Sequence, residues 1–243
     1  MNEKRAYLLG FHLGDGCLTA GPRGSTVVKY ECIDEDIIEL CSSILFSEFG
    51  SDVTVRENPK KHVFICVSQK LSVCEWVESL VGFAGYSKRW PKLIEGCSKE
   101  LKIAFLAGLM DSDGFISIKY GQKYWHKKNQ RYYTQRFMSL IGFCNTAPWI
   151  VNVVNLVQSL GVKTGGIKET IRRKSGYKGT MPMKKVYFNE KSYIDSGCFF
   201  VGERKQSKLR TIAFEKQLSE PSESIRQTLK QFKWFNEDVL RSA

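Results

Sequence analysis

The sequence predicts an α+β protein built from two pseudo-symmetric αββαββα repeats, and three observations carry that prediction. A nonapeptide occurs twice, 98 positions apart in a chain of 243 residues. The order of strand and helix periodicities after each copy is the same. Each copy then carries a second hairpin after its helix.

The first nonapeptide, Leu8-Leu9-Gly10-Phe11-His12-Leu13-Gly14-Asp15-Gly16, reads as the end of a helix. A β-rich stretch follows and ends in residues 25–33; Ile37, Ile38, Leu40, Cys41, Ile44 and Leu45 then recur at helical spacing. Residues 53–57 and 62–68 read as a second hairpin, and residues 73–81 as a closing helix. The second nonapeptide is Leu106-Ala107-Gly108-Leu109-Met110-Asp111-Ser112-Asp113-Gly114. Residues 115–120 and 132–143 read as strands, residues 148–160 as a helix with Val153, Val154 and Val157 on one side, and residues 166–172 and 185–189 as a hairpin. The boundary between repeats falls near residues 96–98, giving halves 1–97 and 98–243. The second half is longer, and its extra length in residues 121–131 and 173–182 is polar and basic, which suggests loops. After a Ser/Glu-rich stretch with Pro221, residues 225–240 read as an extra packing helix.

The chain carries 37 Lys and Arg against 25 Asp and Glu, a formal net charge of +12. An excess of this size points to an anionic partner, and nucleic acid is the commonest one for a basic domain. Residues 1–97 have a net charge of −2 and residues 98–243 one of +14, so the attraction resides in the second half. No run approaches the roughly 20 apolar residues of a membrane span, and Met1-Asn2-Glu3-Lys4-Arg5 opens no secretory signal. An intracellular protein with no membrane attachment is expected. The eight cysteines are scattered without a Cys-x-x-Cys pair, which gives zinc and redox motifs no support and fits reduced, buried thiols.

Gly10 and Gly14 lie four apart, as do Gly108 and Ser112, so each helix presents a strip with almost no side chain. Glycine inside a helix costs about 1 kcal/mol against alanine, and close approach of the two helix backbones is the natural compensation. Each strip ends in an Asp followed by a glycine suited to a left-handed cap. Pairing the helices would bring Asp15 near Asp113, at the negative ends of two helix dipoles. Stability alone does not select that arrangement. Two carboxylates at the mouth of an interface are what a hard divalent cation requires.

Both nonapeptides resemble the LAGLIDADG motif of homing endonucleases, and the surrounding αββαββα repeat extends the resemblance over nearly the whole chain. The second copy differs from the motif at two of nine positions; the first departs further, with His12 and Leu13 in place of Ile and Asp. The resemblance implies that the two LAGLIDADG helices pack together, and that the last acid of each motif, Asp15 and Asp113 but not Asp111, holds the metal. Gly14 and Ser112 complete the metal site, with Mg²⁺ as cofactor and Mn²⁺ or Ca²⁺ able to substitute for binding. It also implies a lysine and a polar residue per half that organise solvent. By position these are Lys88 with Lys205 or neighbouring Arg204, and Asp34 with Asn145. His12 is expected to be a packed or surface residue rather than a base.

The resemblance further implies antiparallel sheets that saddle double-stranded DNA and read the major groove from alternate strand positions. Residues 119–136 carry six Lys and Arg and no acid, interleaved with Tyr120, Tyr124, Trp125, Tyr132 and Tyr133. Residues 163–185 carry eight Lys and Arg and one acid. The expected contacts are therefore Lys119, Lys123, Lys127, Lys128, Arg131, Arg136, Lys168, Arg172 and Lys184, with Thr19, Arg23, Lys29 and Arg56 from the first half. The implied reaction is metal-assisted hydrolysis of one phosphodiester on each strand, leaving 3′ overhangs, in the setting of intron homing. Two unlike halves in one chain imply an asymmetric site, a monomer and no obligate protein partner. An RNA maturase and a non-cleaving DNA-binding regulator on the same fold stay open, with both aspartates favouring the nuclease. An intein origin is not expected, because Met1 leads almost directly into the first motif and no splicing blocks flank it.

Overall fold

The computed structural model describes residues 1–21, 24–83, 88–173 and 180–230. Helix α1 (Glu3–Asp15) is capped by Asn2, whose side chain accepts from the Arg5 N–H at 3.0 Å. Strands β1 (Gly16–Ala20) and β2 (Thr26–Cys32), helix α2 (Glu35–Phe49), strands β3 (Val53–Asn58) and β4 (Val63–Ser68) and helix α3 (Leu71–Val81) complete the first unit. A 3₁₀ turn (Lys92–Gly96) leads to α4 (Lys99–Ser112), whose cap is Ser98. Strands β5 (Gly114–His126) and β6 (Arg131–Asn145), helix α5 (Ile150–Ser159), strands β7 (Lys168–Arg173) and β8 (Thr180–Phe188) and helices α6 (Glu190–Asp195), α7 (Glu203–Glu215) and α8 (Ser224–Lys230) follow.

The two antiparallel sheets have matching orders, β1-β2-β4-β3 and β5-β6-β8-β7. Strand alternation sends Leu18, Val28, Tyr30 and Cys66 of the first sheet, and Ile116, Ile141, Phe143 and Val186 of the second, into the core. The other face carries Lys29 and Arg56 in the first sheet, beside the apolar Val27 and Ile65, and Lys119 and Arg136 in the second. Helices α1 and α4 are buried almost all round, from Ala6 to Leu13 and from Ile103 to Asp111, as expected of helices enclosed between layers. They lie against one another at the expected glycines. A Cβ on Gly10 would overlap the Phe105 carbonyl oxygen, and one on Gly108 would overlap the Tyr7 carbonyl oxygen. These two notches are equivalent in the repeat, so the packing is two-fold in character.

Two expectations need correction. Gly16 is not left-handed but extended, at φ −74° and ψ 155°, and Gly114 is absent from the positive-φ glycines. Each helix runs straight into a strand, and glycine is needed for space: a Cβ would strike His12 at Gly16 and the Met110 carbonyl at Gly114. Residues 121–131 are not a loop. The β5–β6 ladder continues from Gln122 opposite Gln135 to His126 opposite Arg131, leaving only a short turn at the tip. Residues 174–179, inside the second expected loop, and residues 231–240 of the expected last helix lie outside the described residues; α8 accounts for its beginning. Among the described residues, no helix is long and apolar enough to cross a membrane.

Candidate active site and nucleic-acid interface

Asp15 and Asp113 sit at the ends of α1 and α4, where the glycine strips bring the helices together. The approach is so close that a Cβ on Gly14 would overlap Ser112 and lie 3.0 Å from Asp113 Oδ2. Asn145, the last residue of β6, donates from Nδ2 to Asp113 Oδ2 at 2.5 Å. Burial pushes the Asp113 carboxyl up to about 7; the neighbouring Asp15 carboxylate adds to the rise, while Asn145, Lys88 and Lys205 oppose it. Asp15 is open to solvent at the mouth yet crowded by protein, and desolvation raises its carboxyl against the pull of Lys205 and Lys88.

Both lysines identified by position lie at this centre, and in equivalent roles. The Lys88 ammonium donates to the carbonyls of His12, Leu13 and Gly14 at 2.8, 3.2 and 2.8 Å. That of Lys205 donates to Met110, Asp111 and Gly114 at 2.8, 2.6 and 2.8 Å, with Ser112 at 3.5 Å. Each cation thus caps the carbonyl end of one helix, where the dipole is negative and no further turn satisfies the oxygens. Desolvation lowers both ammonium pKa values, while Asp113 and Asp15 hold up that of Lys88 and Asp111 that of Lys205. Between Lys205 and Arg204, the geometry selects Lys205. Gly14 and Ser112 belong to the site through backbone, and their carbonyls already face an ammonium.

Asp34 and Asn145 part company. Arg204 takes both carboxylate oxygens of Asp34, Nε at 2.6 Å and Nη2 at 2.9 Å, so Asp34 faces an arginine where Asn145 faces the catalytic-candidate acid. Asp111, the sixth residue of the second motif, is 2% exposed and accepts from the Tyr7 hydroxyl and the Val201 N–H. His12 is fully buried with both ring nitrogens unpartnered, edge-on to Tyr30, and burial drives its pKa well below the usual value. It is a neutral packing residue.

The strand registers sort the basic residues by face. On the open face of the second sheet, Lys119, Lys123 and Trp125 of β5 stand with Tyr132, Thr134 and Arg136 of β6, and Lys168 of β7 with Lys185 of β8. Lys168 lies 5.5 Å from the Tyr187 ring on that face. Arg131 falls in the opposite phase and rests over Tyr133, and Lys184 also takes the opposite phase, across from Glu169. Lys185, which was not among the expected contacts, stands on the open face instead. Lys127 and Lys128 occupy the hairpin tip. In the first sheet, Thr19, Lys29 and Arg56 share the open face, though Lys29 is ion-paired with Glu31. Arg23 lies outside the described residues, as does the side chain of Arg172.

No protein-family model matches the chain. Solved structures do. The I-LtrWI LAGLIDADG homing endonuclease bound to target DNA superposes with a TM-score of 0.54, over 94% of this chain and 96% of that one, at 12% identity. The chain has the LAGLIDADG homing endonuclease fold. An I-DmoI variant in complex with its target DNA in the presence of Mn gives 0.52 over 85% of this chain and 97% of the other, at 14% identity. I-DmoI with DNA and Ca gives 0.50 over 95% and 98%, also at 14% identity. By sequence, the replicative DNA helicase DnaB of Rhodothermus marinus is 28% identical over 134 residues, 51% of this chain. The chain spans 14% of that protein's length and contains no Gly-x-x-x-x-Gly-Lys-Ser/Thr loop to cradle nucleotide phosphates. The LAGLIDADG helices are thus α1 and α4, and the candidate site is at their paired ends.

Proposed function

We propose that the chain is a site-specific DNA endonuclease that hydrolyses one phosphodiester on each strand of a long, asymmetric duplex site, leaving 3′ overhangs. The observation that carries this reading is the Asp15–Asp113 pair: two carboxylates at matched helix ends, both raised by desolvation and that of Asp113 pushed up to about 7. Such a pair is unfavourable until a cation joins it. Among the described residues, no cluster of three or more His, Cys, Asp or Glu converges, so coordination is left for water and phosphate oxygens, as Mg²⁺ prefers. The residues fit a divalent ion, with Mg²⁺ the expected cofactor and Mn²⁺ or Ca²⁺ able to take its place for binding. Bound there, it would polarise the phosphate, ease ionisation of water and stabilise the departing 3′ oxygen.

The protein's own groups divide the remaining work. Asn145 orients the Asp113 carboxylate, and Lys88 and Lys205 neutralise the carbonyl ends of both helices, reducing repulsion with an incoming phosphodiester. Lys119, Lys123, Arg136, Lys168 and Lys185, with Thr19, Lys29 and Arg56, hold the duplex across the open faces. Residues 1–97 and 98–243 serve one half-site each within a monomer. Asp15→Asn and Asp113→Asn are each expected to abolish double-strand cleavage while leaving DNA binding in Ca²⁺ intact. Undiminished cutting by either variant would remove the metal assignment.

A further inference from the structure

The first turn of α7 is held by carboxylates from two other helices. Asp111 of α4 accepts from the Val201 N–H at 2.9 Å and from Gly202 N–H at 3.3 Å. Asp36, in the first turn of α2, accepts from the Glu203 N–H at 2.9 Å. Asp34, at the cap of α2 and 8% exposed, is gripped by both prongs of Arg204. Acids at a helix N-terminus are favourable, and a forked guanidinium on a carboxylate fixes orientation as well as distance. The next residue is Lys205, which turns inward, is 6% exposed and places its ammonium on the carbonyls at the end of α4.

We propose that Arg204 is a positioning residue for Lys205: its grip on Asp34, across the two halves, sets the first turn of α7 so that the ammonium stays on the α4 carbonyls beside Asp113. The Arg204 side chain is 46% exposed while that of Asp34 is 8% exposed, so the guanidinium reaches in from the surface and both of its bonds to the buried carboxylate fix its direction. In the first half, Ser87 and not an arginine precedes Lys88, and Leu13 stands where the second motif has Asp111. Lys88 therefore serves as a built-in control. Only the consequence for cutting rests on the endonuclease reading; the placement of Lys205 does not.

Limited acetylation of the full-length, metal-free protein, read by mass spectrometry, tests the inference without DNA. In the wild type, Lys205 and Lys88 should label far more slowly than exposed Lys60 and Lys61. In Arg204→Gln, and independently in the milder Asp34→Asn, Lys205 should label about tenfold faster while Lys88 keeps its wild-type rate. Unchanged Lys205 labelling, or a parallel rise at both lysines, would overturn the inference, the latter marking general loosening. If Arg204→Gln does not fold, Asp34→Asn gives the same reading. On a cleaved substrate, Arg204→Gln should slow single-turnover cutting at unchanged affinity and add nothing to the loss caused by Lys205→Met. Additive losses would also overturn it. A wild type that cuts no DNA defeats the endonuclease reading and leaves the labelling result to stand by itself.

Discussion

At the scale of residues, the centre holds its charges at a cost in stability that can be measured. An acid whose folded-state pKa lies above its unfolded value binds its proton more tightly when folded. For Asp113, the contribution is therefore fully present below the ordinary carboxylate value of 3.8 and is lost as pH rises through about 7. Three pH units at about 1.4 kcal/mol each set an upper bound of about 4 kcal/mol. Metal-free Asp113→Asn should then be more stable than wild type at pH 8 by up to a few kcal/mol and equal to it near pH 4, as read by thermal unfolding in chelator. A variant less stable than wild type at pH 8 would contradict the burial-driven rise. The two aspartates were legible in the sequence because the motif repeats. The lysines were legible only by topological position, since Lys88 and Lys205 are not separated by the 98 positions of the repeat. That their ammoniums cap helix carbonyls, and that Asp34 pairs with Arg204, depends on contacts between distant segments that no local pattern records.

At the scale of elements, the LAGLIDADG helices meet through backbone at Gly10 and Gly108. Alanine is ordinarily worth about 1 kcal/mol more than glycine in a helix, but here its methyl would overlap a carbonyl oxygen of the partner helix. Gly10→Ala and Gly108→Ala should each destabilise by about 3 kcal/mol or more, because neither backbone can yield without moving the carboxylate pair. Denaturant unfolding checks this, and a neutral or stabilising effect would contradict the packing. The glycine strips foretold this contact directly. The long hairpin was missed for a physical reason: beyond Tyr120 the described side chains on both of its faces are exposed or only half-buried, so the apolar alternation that reveals a half-buried strand is absent, and polarity imitates a loop. The glycines after each Asp were read correctly as constrained positions, though the constraint is space and not a left-handed backbone.

At the scale of the whole molecule, the +12 charge becomes a surface once strand phase is known. Lys119 and Arg136 share the open face, whereas Arg131 stands on the other and rests over Tyr133. Lys119→Ala and Arg136→Ala should each lower the salt slope of DNA binding by about 1, and Arg131→Ala should leave it unchanged. Equal slopes for all three would place the duplex elsewhere. The excess of basic groups in residues 98–243 was visible by counting; which of them point one way required the register, because a shift of one residue exchanges the faces.

The central claim, that paired helix-end carboxylates make this fold a cutting enzyme, is tested most directly by cleavage selection. A randomised double-stranded DNA library would be incubated with Mg²⁺ and the wild type, beside the Asp15→Asn/Asp113→Asn double variant. Discrete double-strand breaks at one asymmetric sequence from the wild type alone are the predicted result. Specific binding of DNA without cutting by the wild type would contradict it, leaving a DNA-binding regulator on the same fold.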